Sequence, residues 1–339
     1  MRLFAKKQRA VLGQSPIGAF WSWWRADGHR LDPSRVSTAT DELNRLVTSI
    51  HPDLTWHFGP GSGSQHRLTV SAGGIAEVRP AAERWLRAAP APNDTWEFRS
   101  SQERDPNALG TVLGFGDSQL DLSRTTFDIE TDEQAMRVHL RVHHPEFATM
   151  PEPARMQVSY MLLDWLLGED DVERWVGEIK AWPEALDPAR RADEVVAAVD
   201  QLVAARDDDQ WKLAEFEDRD GFPGTAVFQR GVRWIDFPTL DRHQVISAVY
   251  PARENGFPAD GAVFDSLRSL EDELASIIGA RGRLVASETH RGVRTFHYYT
   301  DGEDQNVDAA IAEWAARTSV VDVQAEPDPA WSQVRRFTG

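Results

Sequence analysis

Residues 284–300 read LVASETHRGVRTFHYYT and predict two β-strands joined by a short turn. Apolar, β-branched and aromatic residues fill 284–289 and 293–300, which is typical of strands that meet in a β-hairpin. The turn between them is predicted at His290, Arg291 and Gly292. The rest of the second half is assigned outward from this hairpin.

Helical patterns flank the hairpin on both sides, because apolar residues recur there at spacings of three and four. They are Leu267, Leu270, Leu274, Ile277 before it and Val307, Ala310, Ile311, Trp314 after it. Strands are predicted at 244–250 and 320–323, so the order is β-α-β-β-α-β, the ferredoxin-like pattern. Shorter strand candidates lie at 212–216, 225–228 and 232–235.

The second hairpin strand presents different residues on its two faces. Side chains alternate along a strand, so Thr295, His297 and Tyr299 share one face while Phe296 and Tyr298 share the other. If helices cover the Phe296 face, His297 and Tyr299 line the open face of the sheet. That face then meets solvent, the other half of the chain or a partner, which makes His297 and Tyr299 candidate binding residues.

The first half begins with a predicted α-β-β-α-β unit. Asp32 and Pro33 form a helix start, because Asp caps free N–H groups and Pro suits the first helical position. The strands are predicted at 54–58, 68–72 and 96–98, with the second helix at 78–86. A late Trp in that helix, Trp85, matches Trp314 in the second half. Either this is a pattern common to α/β sandwiches or the chain contains a duplication.

The middle of the chain predicts a strand pair over 127–129 and 136–142, followed by three helices. The first starts near Pro153 and closes at Gly168, and the third starts at Asp187 and Pro188. The first helix carries Met156, Tyr160, Leu163 and Leu167 on one stripe, and the second carries Val172, Trp175, Val176 and Ile179.

We place a domain boundary at the acidic run 207–209. Residues 1–206 then form an N-terminal domain with extra helices, and residues 207–339 form a ferredoxin-like domain. The predicted fold class is α+β, with two α/β-sandwich domains whose sheets are antiparallel.

The composition indicates a folded and strongly acidic protein. The chain has 339 residues, with 37 Lys and Arg against 54 Asp and Glu, and a formal charge of −17. Cysteine is absent, which excludes disulfide scaffolds, thiolate zinc sites and cysteine nucleophiles. The negative field repels a phosphate backbone and attracts basic proteins. We therefore expect a protein partner with a basic surface and no direct nucleic-acid binding.

Targeting signals are not visible in the sequence. Residues 1–9 are basic, but no apolar run of signal-peptide length follows them. The most apolar helical stretch, 156–167, is shorter than the ~20 apolar residues of a membrane span. We expect a cytoplasmic protein that does not associate with membranes.

Two stretches of the second half resemble a known family. Arg294, Phe296, Tyr298, Tyr299 and the ending Asp328, Pro329, Ala330, Trp331 resemble a bacterial family catalogued as domain of unknown function 695, which is related to regulator of RNase E activity B. The resemblance covers about 211–337. The first half, with Phe20, Trp21, Trp23, Trp24 and Asn93, Asp94, Thr95, Trp96, resembles the uncharacterised region that often precedes this domain. The resemblance implies a ferredoxin-like second half and no established activity, and it admits an acidic protein that binds another protein.

Histidines are the first candidates for chemistry. His139, His143 and His144 cluster, but no carboxylate stands at the spacing of a zinc motif, and we interpret them as surface or partly buried residues. Two further pairs are expected to approach each other across hairpins: His57 with His66, and His290 with His297. The acidic runs 169–171, 207–209 and 301–304 are expected in solvated turns and helix starts. We predict no catalytic residue, no metal and no cofactor.

The tryptophans carry a further signal. Trp21, Trp23 and Trp24 lie within four residues and cannot all face one core. One of them is therefore exposed, packed under a loop or held in an interface, where Trp is enriched. Trp24 is our third candidate binding residue.

Two functions from different classes remain. The first is a non-enzymatic, regulatory protein-binding module that uses the open sheet face or the acidic surface. The alternative is a small-molecule-binding protein or hydrolase with a cleft between the halves that converges on His57, His66, His290 or His297. A homodimer through sheet faces or edges is left open.

Overall fold

The computed structural model describes residues 15–35, 38–115, 118–207 and 210–338. The basic residues 1–9 and Asp208 and Asp209 of the acidic run lie outside these ranges. The chain divides into two compact units, of which the first contains residues up to 73 and 81–100 and the second contains 74–80 and 101–339. The boundary predicted at residue 207 lies inside the second unit.

The first unit contains α1 and then the predicted α-β-β-α-β order, except that residues 79 and 80 at the start of α3 belong to the second unit. The elements are α1 (Pro16–Ala26), α2 (Thr38–Ile50), β1 (Thr55–Pro60), β2 (His66–Ser71), α3 (Arg79–Arg87) and β3 (Trp96–Arg99). The sheet order is β1-β2-β3, with β1 and β2 antiparallel and β2 and β3 parallel. The helix predicted from Asp32 begins later, at Thr38, while Asp32 accepts hydrogen bonds from Ser34 in a turn.

An aromatic cluster forms the core of the first unit. Trp21 stacks on Trp85 with ring centroids 4.9 Å apart, and Trp24 packs edge-on against Trp96 at 5.1 Å. The helix places Trp21 and Trp24 on one face, three residues apart, and leaves Trp23 partly exposed. Trp24 is only 3% exposed, so Trp23 is the tryptophan of this group that reaches the surface.

The second unit begins with a hairpin and a three-stranded sheet. Its elements are β4 (Val112–Phe115), β5 (Ser118–Asp121), β6 (Thr126–Asp132), β7 (Arg137–His143), α4 (Glu152–Leu167), α5 (Glu169–Trp175), β8 (Val176–Ala181) and α6 (Ala192–Ala205). The sheet order is β6-β7-β8, with β8 parallel to β7. The predicted strand pair is confirmed, and the β4–β5 hairpin was not predicted.

Three helix predictions in this region differ from the structure. Val176 and Ile179 lie on β8 instead of continuing α5, because pairing with β7 satisfies their backbone groups and overrides a helical spacing. In α4 the buried stripe is shifted from the predicted one, and Tyr160 is 47% exposed. Ser159 is buried in that stripe because its hydroxyl donates to the Arg155 carbonyl. The third helix starts at Ala192, several residues after Pro188.

A six-stranded antiparallel sheet forms the rest of the second unit. Its elements are β9 (Trp211–Glu217), β10 (Pro223–Gln229), β11 (Arg242–Val249), α7 (Gly261–Ile278), β12 (Gly282–His290), β13 (Val293–Thr300), α8 (Gln305–Arg317), β14 (Val321–Pro327) and α9 (Arg335–Thr338). The order β14-β11-β13-β12 with two crossover helices is the ferredoxin-like arrangement, and β10 and β9 extend it. The strand predicted over 232–235 is wrong: a 3-10 turn, Trp234–Asp236, lies there.

The fold class is α+β, as predicted. Both halves also share the predicted α-β-β-α order, but their last strands pair differently. β3 lies beside β2, whereas β14 is separated from β13 by β11. A duplication of the chain stays a prediction.

The helices α7 and α8 bury one face of the six-stranded sheet. Phe296 is fully buried there and packs with Leu274, Ile278, Ile311 and Trp314. Such a side chain stabilises the folded state by removing apolar area from water, and its loss also leaves a cavity that lowers stability further.

Replacing Phe296 by Ala should lower the free energy of unfolding by about 3–5 kcal/mol, the cost of a large cavity in a packed core. Urea unfolding followed by tryptophan fluorescence measures it. Phe264→Ala is the control, because Phe264 is 50% exposed on α7. An equal loss in the two variants would contradict this account of the core.

Candidate functional site

The face of the sheet opposite α7 and α8 is covered by the C-terminal segment, residues 328–337. Trp331, Val334 and Phe337 of this segment pack on Tyr299 and its neighbours. Tyr299 is fully buried and His297 is 5% exposed. The predicted alternation of the two faces is confirmed, but the face is not open at His297 and Tyr299. The sequence did not reveal the covering segment because a four-residue helix has almost no periodic signal.

Asp328 anchors the C-terminal segment to the sheet. Its Oδ2 accepts a hydrogen bond of 2.6 Å from the Tyr299 hydroxyl and one of 3.0 Å from the Gln333 amide, and its Oδ1 accepts two from Ser332. Burial alone would raise the pKa of Asp328, but these hydrogen bonds outweigh burial and lower the pKa. Burial and the Asp328 carboxylate both raise the pKa of Tyr299, so its hydroxyl stays protonated and donates.

The Trp331 ring completes the anchor. It stacks on Tyr299 with centroids 4.4 Å apart, and its indole N–H donates to the Leu240 carbonyl at 2.8 Å. Trp331 adopts a φ of +50°, a conformation that non-glycine residues rarely take. The turn therefore depends on the contacts that hold the ring.

A chain of three side chains, here called the histidine chain, lies beside this anchor. His243 Nε2 is 3.0 Å from His297 Nδ1, and His297 Nε2 is 2.9 Å from Glu288 Oε1. His243 also stacks on Tyr299 at 4.8 Å, while Arg336 of the C-terminal segment donates to Glu288. The three strands β11, β13 and β12 thus contribute one residue each.

The carboxylate places one proton of the histidine chain. Glu288 accepts a hydrogen bond from His297 Nε2, so this nitrogen carries a proton. His297 Nδ1 and His243 Nε2 form a second hydrogen bond, and His243 Nδ1 is buried without a hydrogen-bond partner. The pKa of His243 is lowered to about 4, first by burial and second by the neighbouring His297. His243 is therefore neutral at pH 7 and only 2% exposed, which makes it a weak and inaccessible base.

The structure does not bring the predicted histidine pairs together. His57 lies opposite Thr69 and His66 opposite Pro60 in the first hairpin. His290 lies opposite Val293, and it approaches Asp218 at 3.0 Å rather than His297. The partner of His297 is His243, which the sequence analysis missed because the predicted strand began one residue later, at 244.

The remaining histidines bond to the backbone. His139 accepts from the Glu178 amide, His143 contacts the Trp182 carbonyl, and His144 contacts the Asp121 carbonyl. The described residues contain no group of three His, Cys, Asp or Glu side chains that could hold a metal ion.

Two acidic runs have outcomes. Glu169 is buried, against the solvated position expected, because its carboxylate accepts hydrogen bonds from the amides of Gly74 and Gln102. Asp304 caps the start of α8 by accepting from the Asn306 amide, as expected of a helix start. Burial, with the nearby Glu169 carboxylate, raises the pKa of Asp164 to about 7.

A cleft of about 750 Å³ lies within the second unit, where α6 and the β6–β7 turn approach the β9–β10 hairpin. Thr131, Gln201, Leu202 and Arg230 contribute to its walls. None of the four histidines named for a catalytic cleft lines it. The cleft is lined by segments from both sides of residue 207, but none of its lining residues was named as a site candidate from the sequence.

Asp236, in the 3-10 turn before β11, binds two arginines. It accepts from Arg174 at 2.6 Å and from Arg206 at 2.8 Å, and its carboxylate also caps the Arg233 amide. Burial opposes ionisation of Asp236, but these partners lower its pKa. The pair of arginines links α5 and the end of α6 to the 3-10 turn before β11.

Comparison with family models, with curated proteins and with solved structures gave no match for this chain. No helix in the described ranges combines the length and the apolar character that crossing a membrane requires.

Replacing His243 by Phe should flatten the pH dependence of stability between pH 6.5 and 4. The wild type has a depressed folded pKa, so its unfolded state binds the extra proton and stability falls by about 3 kcal/mol as the pH drops through this window. Phe keeps the stacking on Tyr299 and removes the proton uptake. Urea unfolding at several pH values measures the difference between the two proteins.

His29→Asn is the control for this experiment, because His29 is exposed in the first unit. It should leave the pH profile unchanged. A His243→Phe profile parallel to that of the wild type would show that His243 is not held neutral.

Replacing Asp164 by Asn should stabilise the protein at pH 8.5 by about 4 kcal/mol. The folded carboxyl group keeps its proton up to about pH 7 while the unfolded one loses it near pH 4, so stability falls as the pH rises through this window, and the amide removes that cost. The gain should shrink as the pH falls to 5, and thermal unfolding across this range measures it. Glu184→Gln, which neutralises an exposed carboxylate, should show no such trend, and a gain independent of pH would refute the assignment.

Proposed function

We propose that this chain is a cytoplasmic protein-binding module that binds a partner with a basic surface, rather than an enzyme. The observation that carries the proposal is the distribution of charge on the helical layer of the six-stranded sheet. The helices α7 and α8 and residues 301–304 between β13 and α8 carry nine carboxylates and two arginines. We call this surface the acidic face.

The acidic face is available to a partner. Asp265 and Asp272 are exposed on α7, and neither has a basic partner among the residues that the structure describes. Phe264 is 50% exposed beside them. A field of one sign on a rigid helical layer steers a basic protein and raises its rate of association.

The histidine chain and its surroundings support a structural role instead of catalysis. A base must reach the proton that it abstracts, and its pKa must be matched to the working pH. His243 meets neither condition, because it is buried and its pKa is about 4. The resemblance of the second half to a family related to an RNase E regulator points in the same direction, toward action by binding another protein.

Reversing two charges on the acidic face tests the proposal. Asp265→Lys with Asp272→Lys should weaken capture of the partner at least about tenfold, because two attractive contacts become repulsive. Capture from a nuclease-treated lysate of the host, with bound proteins quantified by mass spectrometry, measures it. The same partner should be lost from wild-type protein at about 0.5 M salt, where the Debye length is a few ångströms.

The matched control reverses two exposed carboxylates elsewhere in the second unit, Glu130→Lys and Glu184→Lys. Both double variants change the net charge by the same amount. The control bait should nevertheless capture the partner as the wild type does. Equal loss with both baits would show an effect of net charge alone. Capture of no protein by any of the baits would contradict a protein-binding function.

The cleft favours a second candidate function, the binding of a small molecule. Its volume of about 750 Å³ lies within the ~300–1,000 Å³ of ordinary ligand pockets. A ligand there would contact Arg230 and the amide side chains of Gln134 and Gln201. No histidine lines this cleft, so the geometry favours binding over hydrolysis.

A further inference from the structure

A small cavity of about 280 Å³ lies next to the cleft and shares Gln134 and Arg230 with it. We call it the basic pocket. Its cationic residues are Lys212, Arg230 and Arg233, and no carboxylate lines it. The chain has a formal charge of −17, so a cavity lined by three cationic side chains and by no carboxylate differs from the rest of the molecule in the sign of its charge.

The two arginines of the basic pocket are held in place by the β6–β7 turn. Arg230 donates to the carbonyls of Glu133 and Gln134 at 2.6 and 2.9 Å, and Arg233 donates through Nη2 to the Ala135 carbonyl at 2.7 Å. Carbonyl oxygens orient a guanidinium without neutralising its charge. These contacts therefore preorganise positive charge around the cavity.

The charge of Arg233 is not fully satisfied within the described chain. Its side chain is 5% exposed, and its Nη1 atom is buried with no hydrogen-bond partner. Burial and the neighbouring Arg137 lower the pKa of Arg233 to about 10, and it still stays charged at pH 7. Two carboxylates act on its charge, Asp236 and Glu173. Asp236 is already bound by Arg174 and Arg206, and Glu173 accepts from the Trp234 indole.

Lys212 and two phenylalanines complete the basic pocket. Lys212 lies opposite Phe228 on neighbouring strands, and Phe337 of the C-terminal segment packs on Phe228 with centroids 5.8 Å apart. Among the described residues Lys212 has no carboxylate within salt-bridge distance. One part of the wall is thus cationic and the other is aromatic.

From this wall we infer that the basic pocket binds a small organic anion with an apolar body, of the class of the arylcarboxylates. A guanidinium recognises a planar carboxylate through paired hydrogen bonds, and the phenylalanine side accepts an apolar ring. The volume lies just under that of drug-sized ligand pockets, so a single ring with a short acid fits it. The inference does not rest on the acidic face, which lies on the other side of the sheet.

The scarcity of lysine in this chain allows a direct test. The sequence contains four lysines, Lys6, Lys7, Lys180 and Lys212. Reductive methylation with ¹³C-formaldehyde keeps their charge and gives each lysine its own NMR signal, which Lys212→Arg and Lys180→Arg variants assign. Phenylacetate is the probe, and acetate and inorganic phosphate are the comparison anions.

Phenylacetate should shift the Lys212 signal saturably and leave the Lys180 signal in place. Calorimetry on unmethylated protein should show binding that Lys212→Gln weakens about tenfold, the effect of losing one charge-assisted hydrogen bond. Lys180→Gln is the matched control, since Lys180 pairs with Glu178 on β8. It should bind phenylacetate as the wild type does.

Three results would overturn the inference. The first is a Lys212 signal that does not move, or moves no more than that of Lys180. The second is equal affinity of the wild type and Lys212→Gln for phenylacetate. The third is affinity for acetate or phosphate as high as for phenylacetate, which would show that the aromatic wall takes no part in binding.

Discussion

The Asp236 carboxylate is the contact on which the arrangement of the second unit depends. It receives Arg174 from α5 and Arg206 from the end of α6, while it caps the 3-10 turn that leads toward β11. Removing one member of a buried ion pair costs about 3–5 kcal/mol, because the remaining charge stays desolvated. Here the loss would take a carboxylate from two arginines at once, of which Arg174 keeps Asp171. The β6–β7 turn is held in turn by Arg230 and Arg233, which donate to its carbonyls and so shape the cleft and the basic pocket.

Opposite charges are separated within the second unit. The acidic face carries its carboxylates on exposed helices, where water screens them and each costs little to hold. The junction near Asp236 buries several arginines, of which Arg174 and Arg206 bind its carboxylate while Arg137 and Arg233 donate to backbone carbonyls. A net charge of −17 therefore does not describe every surface of the chain. The formal charge predicts a basic partner, whereas the local charge at the junction predicts an anionic one.

The sequence predicted the parts of the fold that local patterns determine. The hairpin at 284–300 and its flanking helices were predicted because the spacing of apolar residues and the turn residues indicate the same structure there. β8 was missed because Val176 and Ile179 have a helical spacing. These residues form a strand because they pair with β7, which is distant in sequence. Of the three members of the histidine chain, the sequence indicated only His297, from its face of the strand, because His243 and Glu288 join it through the register of three strands. Register depends on contacts far apart in sequence, which a single sequence does not show.

The C-terminal segment shows how one short element serves two places. A helix of four residues is unstable by itself, because helix nucleation is costly and so short a run gains few hydrogen bonds. It is held by Asp328 at its start and by the insertion of Phe337 at its end. Arg336 binds the Glu288 carboxylate of the histidine chain, and the next residue, Phe337, forms a wall of the basic pocket. Protonation of the histidine chain and occupation of the basic pocket therefore act on the same four residues, so that whatever loosens the segment at one place weakens its contacts at the other.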